Sequence, residues 1–304
     1  MLQPTSPRLE SLTGFSAAGF HRFAYADWGD PDNPQVVVCA HGLTRNGRDF
    51  DWLARRLAPH ARVVCPDIVG RGASDWLPDP ALYGYPQYLA DMNALIARVG
   101  APHARAGRPF TIDWVGTSMG GLIGMMLAAA PGTPLRRLVM NDVGPVLARE
   151  GLTRIGTYAG GDPRFASAEA FCAWYEGLLQ PWGAGTDALP PERIRHLAAH
   201  GMRRCTDASG ATTYAPAYDP AIAAGFHGKV FDRDVVLWPV WEKVSIPVLV
   251  LRGGDSGLLR EETAREMVDG HPERRLLTFP GIGHAPALAS DDQIEPVARF
   301  LLDG

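Results

Sequence analysis

Cysteine is sparse in this sequence. None of its four residues, Cys39, Cys65, Cys172 and Cys205, forms a CxxC pair or falls at zinc-ligand spacing. A disulfide scaffold and a zinc module are therefore not expected. Cys39 and Cys65 sit inside apolar runs and read as buried thiols, which fits a reducing cytoplasm. No basic tract stands out against a net charge of −4, so nucleic acid is not an expected partner. The longest apolar run, near residues 122–130, is too short to span a bilayer. The opening MLQPTSPRLESL lacks the basic start and apolar stretch of a secretory signal, so neither membrane nor export is expected. P-loop, HExxH and strand–GxGxxG–helix patterns are all missing, and no cofactor or metal is expected. Internal repeats and low-complexity segments are also lacking.

What is there is a globular chain of 304 residues, 46% hydrophobic, enough for one large domain or two modest ones with an ample core. Short β-rich apolar runs alternate with helical patterns. RFAYADWG, QVVVCAHG, ARVVCPDI, FTIDWVGT and LRRLVMND read as strands. YPQYLADMNALIARVG reads as an amphipathic helix ending at Gly100, and MGGLIGMMLAAA as a helix closed by Pro131-Gly132. From about Val146 to Arg233 the rhythm breaks. Prolines, glycines and aromatics surround helical pieces such as SAEAFCAWYEGLL and PERIRHLAAHGMRR, with no strong strands, and this stretch reads as an inserted helical cap. The alternation resumes with IPVLVLRG, REETAREMV, RRLLTFPG and a last helix around QIEPVARFLL. The expected domains are a core of residues 1–145 and 234–304 and a cap of residues 146–233. Such alternation implies a mainly parallel sheet covered on both faces. Its ligands bind at the edge where the parallel strands end.

Gly116-Thr117-Ser118-Met119-Gly120 matches G-x-S-x-G between a strand and a helix, the context of a nucleophile elbow. Only hydrogen side chains fit so tight a turn at Gly116 and Gly120. Ser118 would be exposed at a helix N-terminus that favours developing negative charge. A serine hydroxyl needs a base. Of nine histidines, His284, in the glycine-flanked loop GIGHAP after a strand, is the best placed. His41 also follows a strand, and the remaining histidines read as surface residues.

AHGLTRNG, DIVGRGAS, GTSMGG and GIGHAP together resemble the α/β-hydrolase family along nearly the whole chain. The resemblance implies a mostly parallel eight-stranded sheet flanked by helices, with a helical cap inserted after the sixth strand. It also implies that His41 shapes the oxyanion loop rather than acting as base. Two main-chain donors, the N–H of Met119 and of Leu43, would form the oxyanion hole.

The base needs a carboxylate, and two follow strands in the right interval. The commonest family arrangement puts the acid after the seventh strand, three residues beyond a glycine. Counted from Gly253, that position holds Ser256, and Asp255 comes one residue early. Some relatives carry the acid after the sixth strand, which suits Asp142. Asp142 is favoured, Asp255 is the alternative, and Asp67 remains in reserve.

A serine at the elbow, where dehalogenases and epoxide hydrolases of this fold carry aspartate, implies an acyl-enzyme. A small carboxylic ester or related acyl compound is the expected substrate. Amide or carbon–carbon hydrolysis, acyl transfer to an alcohol, and a non-catalytic ligand sensor stay open. Tyr158, Trp174, Tyr175, Trp182, Tyr214, Tyr218, Phe226 and Phe231 either line an apolar acyl pocket or form the core of the cap. Arg45 either meets a substrate carboxylate or is a solvated surface arginine; Arg45, Trp182 and Tyr158 are the candidate substrate contacts.

Overall fold

The alternating strands and helices assemble into an eight-stranded sheet in a computed structural model that describes residues 6–179, 189–225 and 232–303. The chain opens with β1 (Arg8–Ser16) and β2 (Gly19–Trp28), an antiparallel pair. Then follow β3 (Gln35–Ala40), α1 (Asp51–Leu57), β4 (Arg62–Pro66), α2 (Tyr85–Arg105), β5 (Thr111–Thr117), α3 (Met119–Ala129) and β6 (Leu135–Asn141). Between β6 and the next sheet strand lie β7 (Val146–Leu147), α4 (Arg149–Gly156), α5 (Ala168–Leu179), α6 (Pro191–His200), β8 (Met202–Thr206), β9 (Thr212–Pro216), β10 (Val235–Val236) and α7 (Trp238–Trp241). The sheet is completed by β11 (Val248–Gly253), α8 (Glu261–Val268), β12 (Arg274–Phe279) and α9 (Asp291–Leu302).

The strand order is β1-β2-β4-β3-β5-β6-β11-β12. β2 meets β4 antiparallel, and every pairing from β4 to β12 is parallel. A parallel sheet covered on both faces buries both sides of each strand. Accordingly Ile112 and Trp114 of β5 pack into one core cluster and Val115 into the other. The parallel strands all end at one edge. Helices and strands inserted after β6 form a cap over it. Among the described residues, no helix is long and apolar enough to cross a membrane.

The structure departs from the sequence reading in three places, each for a local reason. β1 gave no strand signal because this edge strand exposes most of its residues, which removes the usual alternation. Helix α2 runs past Gly100 to Arg105, and Gly100 serves packing instead. A Cβ there would overlap the ring of Phe110. The cap is not free of strands. Helix α6 stops at His200, and Met202–Pro216 forms the β8–β9 hairpin. Its turn is held by Asp207, whose Oδ1 accepts from the N–H groups of Ser209 and Ala211. The reading of the spare histidines as surface residues also fails for His21 and His103, both buried.

Candidate active site

Ser118 stands between β5 and α3 with φ 51° and ψ −115°, a backbone conformation that costs about 1–3 kcal/mol. The two glycines make this turn possible. A Cβ on Gly116 would overlap the carbonyl of Gly120, and one on Gly120 would overlap that of Ala40. Trp114 adds a clamp from the buried strand face, its indole N–H donating to the Gly120 carbonyl at 2.9 Å. The strain is therefore held by packing on both sides of the turn.

The imidazole of His284, in the loop after β12, reaches two partners. Its Nε2 lies 2.9 Å from Ser118 Oγ and its Nδ1 lies 2.7 Å from Asp142 Oδ2. Asp142, the residue after β6, is fully buried and has φ 56°. Its Oδ1 accepts the N–H of Gly253 at 2.8 Å and its Oδ2 accepts the hydroxyl of Ser256 at 2.6 Å. With Nδ1–H donating to this carboxylate, Nε2 is left to accept from a serine hydroxyl, the arrangement a general base requires. Asp255 is elsewhere. Its carboxylate is exposed in a surface hollow with Arg252, Glu261 and Arg265. Asp67 is also otherwise engaged. It accepts the N–H groups of Gly47 and Ala73, and burial pushes its carboxyl up to about 6 despite those two bonds.

Met119 follows Ser118 in the chain, and Leu43 comes from the loop after β3. Met119 opens α3, so its N–H has no carbonyl one turn back to bond. Leu43 lines the same cavity as Ser118 and His284. Behind both runs a residue that sequence reasoning did not single out, Arg71 of DIVGRGAS. It is completely buried, with Nε donating to the Leu43 carbonyl at 2.8 Å, Nη1 to the Val69 carbonyl and the Tyr88 hydroxyl, and Nη2 to Met119 Sδ at 3.7 Å. Among the described residues it has no carboxylate partner. A second unanticipated residue is Asn141. Its amide donates to Thr117 Oγ1 at 3.0 Å and to the Pro286 carbonyl at 2.8 Å, tying the serine strand to the histidine loop. Neither role has a local sequence signal, since each depends on which loops meet at the sheet edge.

His41 is fully buried and neutral. Nδ1–H donates to the Gly42 carbonyl at 2.7 Å, and Nε2 accepts the Ile68 N–H at 2.9 Å. Burial pulls its pKa down to about 3, the Gly42 bond opposes this, and Arg71 and Arg45 add to the fall. The folded pKa lies below the unfolded one, so the unfolded chain binds the extra proton. Stability is present above about pH 6.5 and is lost as pH falls towards 3, by about 5 kcal/mol. Asp67, shifted upward, offsets part of this between its ordinary value and about 6. Urea unfolding should therefore show a net loss of stability from pH 7 to pH 4. His41→Asn should be less stable at pH 7 but lose less on acidification.

The cavity over Ser118 encloses about 310 Å³, at the small end for ligand sites. Tyr158, Trp174, Tyr175 and Tyr218 line it, whereas Tyr214 packs within the cap against Phe165. Trp182, Phe226 and Phe231 lie outside the described residues. Arg45 is not a solvated arginine. It lines the cavity, with Nε and Nη2 bidentate on Asp49 at 2.7 and 2.9 Å and its guanidinium 5.0 Å from the Tyr175 ring centre. Burial alone would lower its pKa, but Asp49 and the neighbouring tyrosines raise it, and it stays charged.

The model of the alpha/beta hydrolase family matches residues 37–300. A 3-hydroxybutyrate-oligomer hydrolase of Cupriavidus necator is 43% identical over 299 residues, 97% of this chain and 98% of that protein. A pimeloyl-acyl-carrier-protein methyl ester esterase of Xanthomonas campestris is 27% identical over 88% of this chain and 94% of its own. Among solved structures, an alpha/beta hydrolase from Novosphingobium aromaticivorans is similar with a TM-score of 0.79 and 35% identity, over 97% of this chain and 98% of that one.

Proposed function

Because this chain belongs to the alpha/beta hydrolase family, as a serine hydrolase that works on small esters through an acyl-enzyme, we propose that Ser118, His284 and Asp142 carry its chemistry and that its esters are short oligomers of hydroxy acids. The observation that carries the first part is the unbroken hydrogen-bonded line from Ser118 Oγ through His284 to Asp142. Ser118 Oγ attacks the ester carbonyl while His284 Nε2 takes its proton. The oxyanion forms against the N–H groups of Met119 and Leu43, each donor worth about 3 kcal/mol in such sites. His284 returns the proton to the departing alcohol. Water, deprotonated by the same imidazole, then releases the acid from Ser118. Asp142 holds the ring in its Nδ1–H tautomer and stabilises the imidazolium. In this reading the cap is residues 146–233 and the core residues 1–145 and 234–304. The four free thiols suit a cytoplasmic setting.

The substrate class rests on the Cupriavidus necator relative and on the chemistry of the cavity. Hydroxy-acid oligomers are apolar along their ester backbone and end in a carboxylate. The cavity offers tyrosine and leucine walls and one arginine, whose Nη1 has no hydrogen-bond partner among the described residues. Arg45 is the proposed anchor for the terminal carboxylate, with Tyr158 lining the same cavity.

Steady-state hydrolysis of the 3-hydroxybutyrate dimer and trimer, compared with p-nitrophenyl butyrate, tests this. The oligomers should give the higher kcat/KM. Arg45→Met should raise KM for them about tenfold or more, as loss of a charge-assisted bond of about 1.5–3 kcal/mol implies, while sparing the neutral ester. Turnover of p-nitrophenyl butyrate with silence on both oligomers would discard the oligomer reading and leave the hydrolase.

A further inference from the structure

Away from Ser118, on the seam between cap and core, one nitrogen from each of His196 and His200 and a carboxylate oxygen of Asp51 lie within 4.8 Å of one another. The two histidines sit four residues apart on α6, which places them on one helix face. Asp51 opens α1 on the core side. We propose that these three side chains form a site for a divalent transition metal that bridges the cap to the core.

The donors are close to the required geometry. A metal about 2.1 Å from each ligand needs donors no more than about 4.2 Å apart, so a small swing of one ring closes the set. The pair His196 Nε2 and Asp51 Oδ2 is already 2.8 Å apart. His200 is oriented as metal-bound histidines are, with Nδ1–H donating to the His196 carbonyl at 2.9 Å and Nε2 left as the lone-pair nitrogen. Asn46 holds the same end of the helix, its amide donating to the His200 carbonyl at 3.0 Å. His196 Nε2 faces Asp51 Oδ2 across the seam. On metal binding its Nε2 gives up the proton it shares with Asp51, and the proton moves to Nδ1. Asp51 is buried while the His196 side chain is 21% exposed, so an ion has a way in from solvent.

Two imidazoles and one carboxylate suit Zn²⁺, Ni²⁺ or Cu²⁺ rather than Mg²⁺ or Ca²⁺. Arg48 contacts both oxygens of Asp51. Its positive charge weakens the pull of the carboxylate on a cation. Water completes the coordination.

Calorimetric titration of the chelator-stripped protein with ZnCl₂ at pH 7.5 tests the site, with MgCl₂ as the control. One zinc per chain should bind, and no magnesium. Affinity should fall about tenfold or more in both His196→Gln and His200→Gln. Metal-free hydrolysis of p-nitrophenyl butyrate by both variants verifies that they are folded. Saturating zinc should raise Tm of the parent chain by at least about 2 °C and leave the variants unmoved. Absence of binding up to about 1 mM zinc, or binding that survives both histidine changes (as it would at the thiols of Cys172 or Cys205), overturns the proposal.

Discussion

Replacing Ser118 by alanine lowers kcat by about 10⁶-fold, the scale on which loss of the nucleophile acts in serine hydrolases. It removes the hydroxyl that lies 2.9 Å from His284 Nε2. The fold should survive. The turn is held by Gly116, Gly120 and Trp114 rather than by the hydroxyl, and alanine meets the same φ of 51° as serine. Circular dichroism and Tm near those of the parent chain, together with loss of fluorophosphonate labelling, complete the expected result. A Ser118→Ala protein that keeps a tenth of its activity would remove the acyl-enzyme from the proposal.

Asp142→Asn lowers kcat by about 10⁴-fold, while Asp255→Asn changes it by no more than about twofold. The reason is a forced tautomer. The Gly253 N–H, 2.8 Å from Asp142 Oδ1, keeps the amide oxygen of an asparagine on its own side. The amide NH₂ must then face His284 and Ser256, where the carboxylate now accepts from both. Facing a donor, the imidazole turns its Nδ1 into an acceptor and carries its proton on Nε2, so it can no longer take one from Ser118. Single-turnover measurement of acylation with p-nitrophenyl acetate isolates that step. Collapse in Asp255→Asn with full rate in Asp142→Asn would reverse the assignment.

The fold was legible wherever a strand or helix is buried on a regular period. QVVVCA, TIDWVGT and VLVLRG are strands buried almost throughout, and their runs are visible in the sequence. β1 was not, because seven of its nine residues are exposed or half-buried and only the pairing with β2 defines it. The β8–β9 hairpin was hidden by a helix-like stretch that breaks at Gly201. For the candidate site, the glycines around Ser118 and the loop glycines around His284 point to their positions because the backbone itself needs them. The choice among acids is another matter. An aspartate one residue off in a loop and one ending a strand look alike until the loop is folded. The link from Ser256 to Asp142, across 114 residues, has no trace in either local segment. The role of Arg71 is hidden for the same reason. A single arginine in a glycine-rich turn reads as solvated until the turn is seen to wrap it around the Leu43 carbonyl.

Thr117 pairs with Asn141 across adjacent parallel strands, so the side chains that follow, Ser118 and Asp142, inherit their separation from ladder spacing of about 4.8 Å. No loop length enters that separation. Transplanting the constellation to a foreign scaffold would therefore demand just two neighbouring strands and one histidine-bearing connection. The segment after β11, freed from supplying a carboxylate, becomes the natural place to lengthen or diversify the chain, so long as an N–H and a hydroxyl continue to point where those of Gly253 and Ser256 do.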